Sequence, residues 1–283
     1  MTDSSIAQKT AEVRDDWSNR GSHWDAHADA LAELAARFNQ PLLEAAAIGP
    51  GQQVLDCATG AGEPALTIAA MIAPDGQVTA SDLTREMIAG AERRARENAI
   101  ANISFRICDM TGLPFEDGAF DRVVCRFGLM FVPGPERATV EAHRVLGAGG
   151  RAAYMVWGPM AENTAFDVLK QASDEVFGAN DPLVELDAPF NLAGAGALEA
   201  ALEAARFDEV RVETRRYQPE IPAGRPFWAA QLEMGVGRRL DIATEEERRA
   251  LDDAVARGYS KYLQGDTYHL SAVVRIGVGN KHG

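Results

Sequence analysis

The sequence predicts an α/β chain built on a doubly wound, mainly parallel sheet with helices on both faces. Three observations lead there. Short apolar runs of strand length alternate with longer amphipathic segments between residues 53 and 156. A turn with two glycines one residue apart, "CATGAGE", follows the first of these runs. Acidic residues stand at successive strand ends, at Asp56, Asp82 and Asp109. Runs this apolar belong to strands covered on both sides, as parallel strands are.

In chain order, the first forty residues mix charged and aromatic positions. There "WSNRGSHW" separates two helical pieces, the second carrying the stripe Leu31, Leu34, Ala35 and Phe38. Residues 1–45 read as a helical lid or flank. Pro50 and Gly51 punctuate the approach to a strand at 53–57, followed by a helix at 63–73, a strand at 78–81 and a helix at 84–98. Strands at 103–107 and 121–125, a helix at 136–146 and a strand at 151–156 continue the alternation, with "PDG", "EDG" and "GAGG" as turns. After Trp157 the rhythm changes. A helix at 162–177 leads to an irregular stretch with prolines, then a helix at 196–207 and a strand at 210–214. Helices at 227–240 and 245–262 precede a closing strand at 272–278. The apolar patterning of the late helices is modest. Residues 158–206 and 215–268 therefore read as insertions or caps lining a substrate pocket, within a single domain spanning 1–283.

With 283 residues, 46% of them hydrophobic, the chain can bury a substantial core. Its net charge of -14 disfavours unspecific attraction to nucleic acid and to anionic membranes. No apolar stretch approaches spanning length and the start lacks a signal core, so a cytoplasmic location and no membrane span are expected. Cys57, Cys108 and Cys125 lie in or beside apolar runs and read as buried free thiols. None forms a closely spaced metal-binding pair, and no metal is expected.

Gly60 and Gly62 let the chain turn sharply and bring backbone amides close to a ligand. Gly60, Gly62 and Ala65 meet the dinucleotide fingerprint in weakened form, and Asp82, 20 residues after Gly62, suits ribose hydroxyls. Alone, the turn leaves open a dinucleotide, another nucleotide-like cofactor or no ligand. Converging acids suit hydroxyl, amine or amide donors better than a pyrophosphate.

From Val54 to Trp157 the chain resembles the class I S-adenosylmethionine-dependent methyltransferases, especially the group with the ubiquinone and menaquinone C-methyltransferases. "LDCATGAGE" is similar to their first cofactor motif, "ASDLTREMI" to their second acidic region and "CDMTGLPFEDGAFDRVVCRFGLMFV" to their adenine and post-strand regions. "RVLGAGGRAAYMVW" resembles the helix, turn and strand that follow. The resemblance implies a Rossmann-like seven-stranded methyltransferase fold, with an aminoterminal helical lid and an insertion in the carboxyterminal half. It implies S-adenosyl-L-methionine as cofactor and a small-molecule methyl acceptor as partner. On the matching positions, Cys57, Thr59, Gly60 and Gly62 would line the methionine and ribose portion, and Asp82 would receive the ribose hydroxyls. Leu83 and Met87 would flank the adenine, while Asp109 and Met110 would meet its amino edge and face. Arg126 and Phe127 would stand where cofactor meets substrate, with Asp56 near the cofactor's amino group. Ala58 occupies the family's first glycine position.

Such a cofactor carries its own electrophilic methyl group, so the protein's task is placement. His23 and His27, one helical turn apart, are candidate bases if the lid closes, or else exposed helix residues. Arg126 is a catalytic candidate that could orient an acceptor oxygen, or pair with Asp56 or Asp109. Trp17, Trp24, Phe131, Trp157, Phe190, Phe227 and Trp228 are candidates to cover an aromatic or isoprenoid-like acceptor, with core packing as the alternative. Two other functions stay open: a nicotinamide-dependent oxidoreductase using the same turn, and a noncatalytic S-adenosylmethionine-binding interaction protein. A homodimer is compatible with the exposed late helices, though no residue pattern requires one.

Overall fold

In the computed structural model the first apolar run becomes β1 (Gln53–Cys57), whose last four residues are buried. The described residues are 3–224 and 226–283, with side chains described outside 3–5 and 19–36. β2 (Gln77–Asp82), β3 (Ile103–Ile107), β4 (Phe120–Arg126), β5 (Leu146–Trp157), β6 (Asp208–Tyr217) and β10 (Ala272–Lys281) complete a seven-stranded sheet. Its order is β3-β2-β1-β4-β5-β10-β6. β1 pairs in parallel with both β2 and β4, β2 with β3, and β4 with β5.

The register explains why the acids converge. Cys57 stands opposite Ser81, Asp56 opposite Val124 and Asp82 opposite Ile107, so the carboxyl ends of β1 to β4 align along one edge. From β1 the chain winds outward through β2 and β3, then returns to β1's other side as β4. That reversal opens a crevice at the carboxyl ends of β1 and β4, where open α/β sheets bind ligands.

α2 (Ala65–Ile72) buries Leu66, Ile68 and Ile72. α3 (Arg85–Glu97) starts at Thr84, whose hydroxyl accepts the Met87 N–H at 3.4 Å. α4 (Pro135–Val145) packs against α6 (Ala197–Ala204), where the Thr139 hydroxyl donates to the Ala201 carbonyl at 2.6 Å. The aminoterminal segment departs from expectation. It is one helix, α1 (Asp3–Ala46), running through "WSNRGSHW" without a break. An interior glycine such as Gly21 costs a helix only about 1 kcal/mol, which a long helix absorbs. α1 packs against α3 and β4.

The chain divides into two compact units. The first comprises 1–156, 195–213 and 276–283; the second comprises 157–194 and 214–275. The second holds α5 (Thr164–Phe177), α7 (Ala229–Asp241) and α8 (Glu245–Ser260). It also holds an antiparallel sheet of β7 (Glu220–Pro222), β8 (Leu263–Gln264) and β9 (Thr267–His269), absent from the sequence reading. The late helices share a buried cluster including Leu169, Leu186, Val236, Leu251 and Tyr259, formed by packing between segments distant in sequence. Residues 195–206, expected within an insertion, belong to the first unit as α6 and its flanks. α8 begins with a reciprocal capping box between Thr244 and Glu247. Thr244→Ala is expected to lower stability by about 1 kcal/mol in thermal or urea unfolding. No described helix is long and apolar enough to cross a membrane.

Candidate active site

The glycine turn is tied down strand by strand. The Thr59 N–H donates to the Ser81 carbonyl at 2.9 Å, the Gly60 N–H to Asp82 Oδ2 at 2.9 Å and the Gly62 N–H to the Thr59 carbonyl at 3.0 Å. Arg94, from α3, donates to the Ala61 carbonyl at 3.0 Å. Gly62 adopts φ +107°, where a Cβ would lie 3.0 Å from the Leu66 side chain, so the turn needs a glycine there. Ala58, at φ 54°, holds a left-handed conformation that disfavours a side chain.

Asp56 and Asp82 differ in their partners. Asp82 Oδ1 accepts the Thr84 N–H at 3.3 Å, and with the Gly60 bond each carboxylate oxygen retains accepting capacity. Burial raises its pKa to about 6, against the pull of the Gly60, Thr84 and Leu83 N–H groups. Asp56 is fully buried; neither of its oxygens, nor the buried Thr59 hydroxyl, meets hydrogen-bond geometry with a protein group. Burial lifts Asp56 to about 7, opposed by Thr59, Arg126 and the Ala65 N–H and reinforced by Glu63. Thr59 and Ala65 are thus near enough to favour the anion without completing a bond.

Asp109 Oδ1 accepts the Thr111 N–H at 2.8 Å, turning the chain after β3 and leaving Asp109 and Met110 half-buried. Leu83 is half-buried and Met87 buried. A recess of about 320 Å³ lies between Leu83 and Thr84 on one side and Ile107 and Cys108 on the other, with Arg14 and Ser18 of α1 also lining it. It lies beside the positions expected to flank the adenine.

At the end of β4, Phe127 holds φ 59°, its N–H donating to the Met155 carbonyl at 2.8 Å and its ring edge-on to Phe38 at 5.5 Å. A Cβ on Gly128 would lie 2.4 Å from the Ala58 Cβ and 2.9 Å from Cys125 Sγ. The walls of the crevice therefore touch at a point that has no room for a methyl. Gly128→Ala is expected to cost about 1–3 kcal/mol in denaturant unfolding.

Arg126 donates to Asn39 Oδ1 at 2.5 Å. Burial lowers its pKa, while Glu63 first and Asp56 second favour its charge. Glu63 is therefore the stronger counter-charge, where the sequence suggested Asp56 or Asp109. Asn39 also donates to Glu63 Oε2 at 2.9 Å and to Thr67 Oγ1 at 3.1 Å. Neither Asn39 nor Glu63 was a sequence candidate, although Glu63 ends the conspicuous "CATGAGE".

The structure brings Trp17 and Phe131 together edge-on at 5.2 Å in the first unit. The side chains of His23, Trp24 and His27 lie outside the described residues. Trp157, Phe190, Phe227 and Trp228 belong to the second unit. There Phe166 meets Trp157 and Phe190 edge-on, each at 5.2 Å, while Trp228 stacks on Tyr259 at 4.8 Å and Phe227 meets the same ring at 4.9 Å. The three cysteines are free; Cys57 and Cys125 are buried, Cys108 only half-buried. Burial pushes Cys108 up to about 11 and Cys125 up to about 12.

The site's chemistry fits S-adenosylmethionine. Buried acceptors at Asp56 and Thr59 lack donors, which an ammonium could supply, and Asp82 retains lone pairs for hydroxyls.

Residues 54–150 match the methyltransferase domain family. Over 183 residues the chain is 31% identical to a ubiquinone/menaquinone biosynthesis C-methyltransferase of Bordetella parapertussis, covering 62% of this chain and 69% of that one. Over 213 residues it is 30% identical to an arsenite methyltransferase of Halobacterium salinarum, covering 74% of this chain and 49% of that one. Against the first curated relatives it matches, the chain spans about half to three-fifths of their length, at 49%, 58% and 58%. Among solved structures, Haemonchus contortus phosphoethanolamine N-methyltransferase 2, in complex with phosphomonomethylethanolamine and S-adenosylhomocysteine, shares the fold at a TM-score of 0.55. That pair is 20% identical, and the match covers 87% of this chain and 53% of the other. With the glycine turn, its acids and the seven-stranded sheet in register, the chain belongs to the class I S-adenosylmethionine-dependent methyltransferase family.

Proposed function

We propose that the chain binds S-adenosylmethionine in the crevice between β1 and β4 and transfers its methyl group to a small, partly apolar or aromatic acceptor by direct displacement. One observation carries this reading: the donor-deficient acceptors Asp56 and Thr59 share a sheet edge with Asp82 and the glycine turn. When bound, the cofactor supplies an electrophilic methyl on a sulfonium.

The chain's residues then position and shield. Asp82 accepts from the ribose hydroxyls with its remaining lone pairs, while Leu83, Met87, Asp109 and Met110 hold the adenine. Asp56, beneath the turn, attracts the ammonium directly or through a bridging water. Arg126 and Phe127 form the wall facing the acceptor. Trp17 and Phe131 add an aromatic edge, and excluding water there favours transfer over side reactions. Trp157, Phe190, Phe227 and Trp228, the other aromatic candidates for an acceptor, belong to the second unit. His23 or His27 takes the acceptor's proton where one must leave.

The relatives named above methylate, by their names, quinone-pathway carbon, arsenite and phosphoethanolamine. Calorimetric titration with S-adenosylmethionine and with nicotinamide dinucleotides tests the cofactor, and selective nicotinamide binding would sink the assignment. Incubation with methyl-labelled cofactor and a panel of quinone-like, phenolic, amine and arsenite acceptors tests transfer. A labelled product discards the noncatalytic reading; tight cofactor binding with no labelled product across the panel favours it.

A further inference from the structure

Near the carboxyl end of α1, Asn39 is 6% exposed and makes bonds to both sides of the crevice. Its amide nitrogen donates to Glu63, at the end of the glycine turn, and to Thr67; its oxygen accepts from Arg126, at the end of β4. The Thr67 hydroxyl also donates to Glu63 Oε2, at 2.7 Å, so the carboxylate is held by two groups. An amide accepts from the guanidinium with its oxygen and donates to the carboxylate with its nitrogen at once. Its orientation is thereby fixed by chemistry. Pro41, two residues on, lacks an N–H and removes one rung of the helix ladder, so this part of α1 relies on its buried Phe38, Leu42 and Leu43 together with the Asn39 bonds.

We propose that Asn39 is a positioning residue that latches α1 to the crevice, fixing with one side chain both the turn that receives the cofactor and the cation facing the acceptor. The cofactor arm of this inference rests on the function proposed above; the latch itself does not. If Glu63 and Arg126 lost their common partner, the turn and the β4 wall would settle independently. The binding groups would then be ordered by the ligand rather than before it.

Exchanging the donor and acceptor roles provides the test. Asn39→Asp keeps an acceptor for Arg126 but sets a carboxylate against Glu63, and adding Glu63→Gln restores a donor and acceptor pair with the roles reversed. Asn39→Ala removes both bonds. The readouts are amide hydrogen exchange of residues 37–46 and 58–67 without ligand, and S-adenosylmethionine affinity by calorimetry. Both single variants should exchange about tenfold faster in both segments and bind about tenfold more weakly, as loss of a hydrogen bond to a charged group implies. The double variant should return to within about threefold of the parent. Unchanged exchange and affinity in Asn39→Ala, or a double variant no better than Asn39→Asp, would overturn the latch. Should Asn39→Ala not fold, the charged variant and its rescue still decide. A parent protein that fails to bind S-adenosylmethionine would refute the cofactor assignment, with exchange alone then deciding the latch.

Discussion

Asp82→Ala is expected to weaken S-adenosylmethionine binding roughly 100-fold, equivalent to about 3 kcal/mol, because two charge-assisted contacts to the ribose hydroxyls disappear together. The substitution also releases the Gly60 and Thr84 N–H groups, loosening the turn before the ligand arrives. Asp82→Asn separates these effects: it keeps an oxygen for one N–H group but loses the charge, and an intermediate loss of about tenfold is expected. Stability should not follow affinity. With its pKa raised to about 6 by burial, the ionised Asp82 carboxylate is an unfavourable group in the ligand-free protein at neutral pH. Removing it relieves that cost while the freed Gly60 and Thr84 N–H groups oppose the gain, so the melting temperature without ligand should change little. Calorimetric titration of the folded variants decides the matter, and an affinity equal to that of the parent would reject Asp82 as the ribose acceptor.

The sheet was legible in the sequence because its strands are short, apolar and separated by helices of distinct period. β1 and β3 fall on the expected residues, and the helix expected at 84–98 is α3 with Thr84 and Asn98 as its caps. The acids at strand ends were legible for the same reason: parallel register places successive carboxyl ends on one edge. What escaped depends on contacts between distant segments. Asn39 stands 24 residues from Glu63 and 87 from Arg126, and nothing local to it marks a buried polar bridge. β7 and β9 are three residues each and β8 only two, too short to show alternation, and gain meaning only when paired. The continuous α1 escaped differently, since Gly21 is a genuine breaker signal that a long helix can override.

Between pH 5 and 8 the ligand-free protein should lose stability as pH rises, and the bound complex should lose less. The sign follows from the carboxyl groups at the crevice. Asp56 sits at about 7 and Asp82 at about 6 in the folded chain, both raised by burial, against about 3.9 when unfolded. The folded state therefore holds protons that the unfolded chain has already released. This stabilising contribution is complete below about pH 4 and is lost as pH climbs through 6 and 7. For Asp56 alone, a displacement of about three pH units corresponds to about 4 kcal/mol. Glu141 acts oppositely: Arg144 lowers its pKa, but its contribution is complete by neutral pH and nearly flat across the upper window. About two of those three pH units fall between pH 5 and 7, so Asp56→Asn should flatten the stability profile by roughly 3 kcal/mol between pH 5 and 8, measured by urea unfolding at fixed ionic strength. A cationic ligand prefers the ionised carboxylate, so binding should tighten with pH across 5.5 to 7.5 and release protons. Calorimetry in buffers of different ionisation enthalpy counts those protons, and Asp56→Asn should lower the count. A variant with the parent's pH slope and the parent's proton release would show that Asp56 does not titrate in this window.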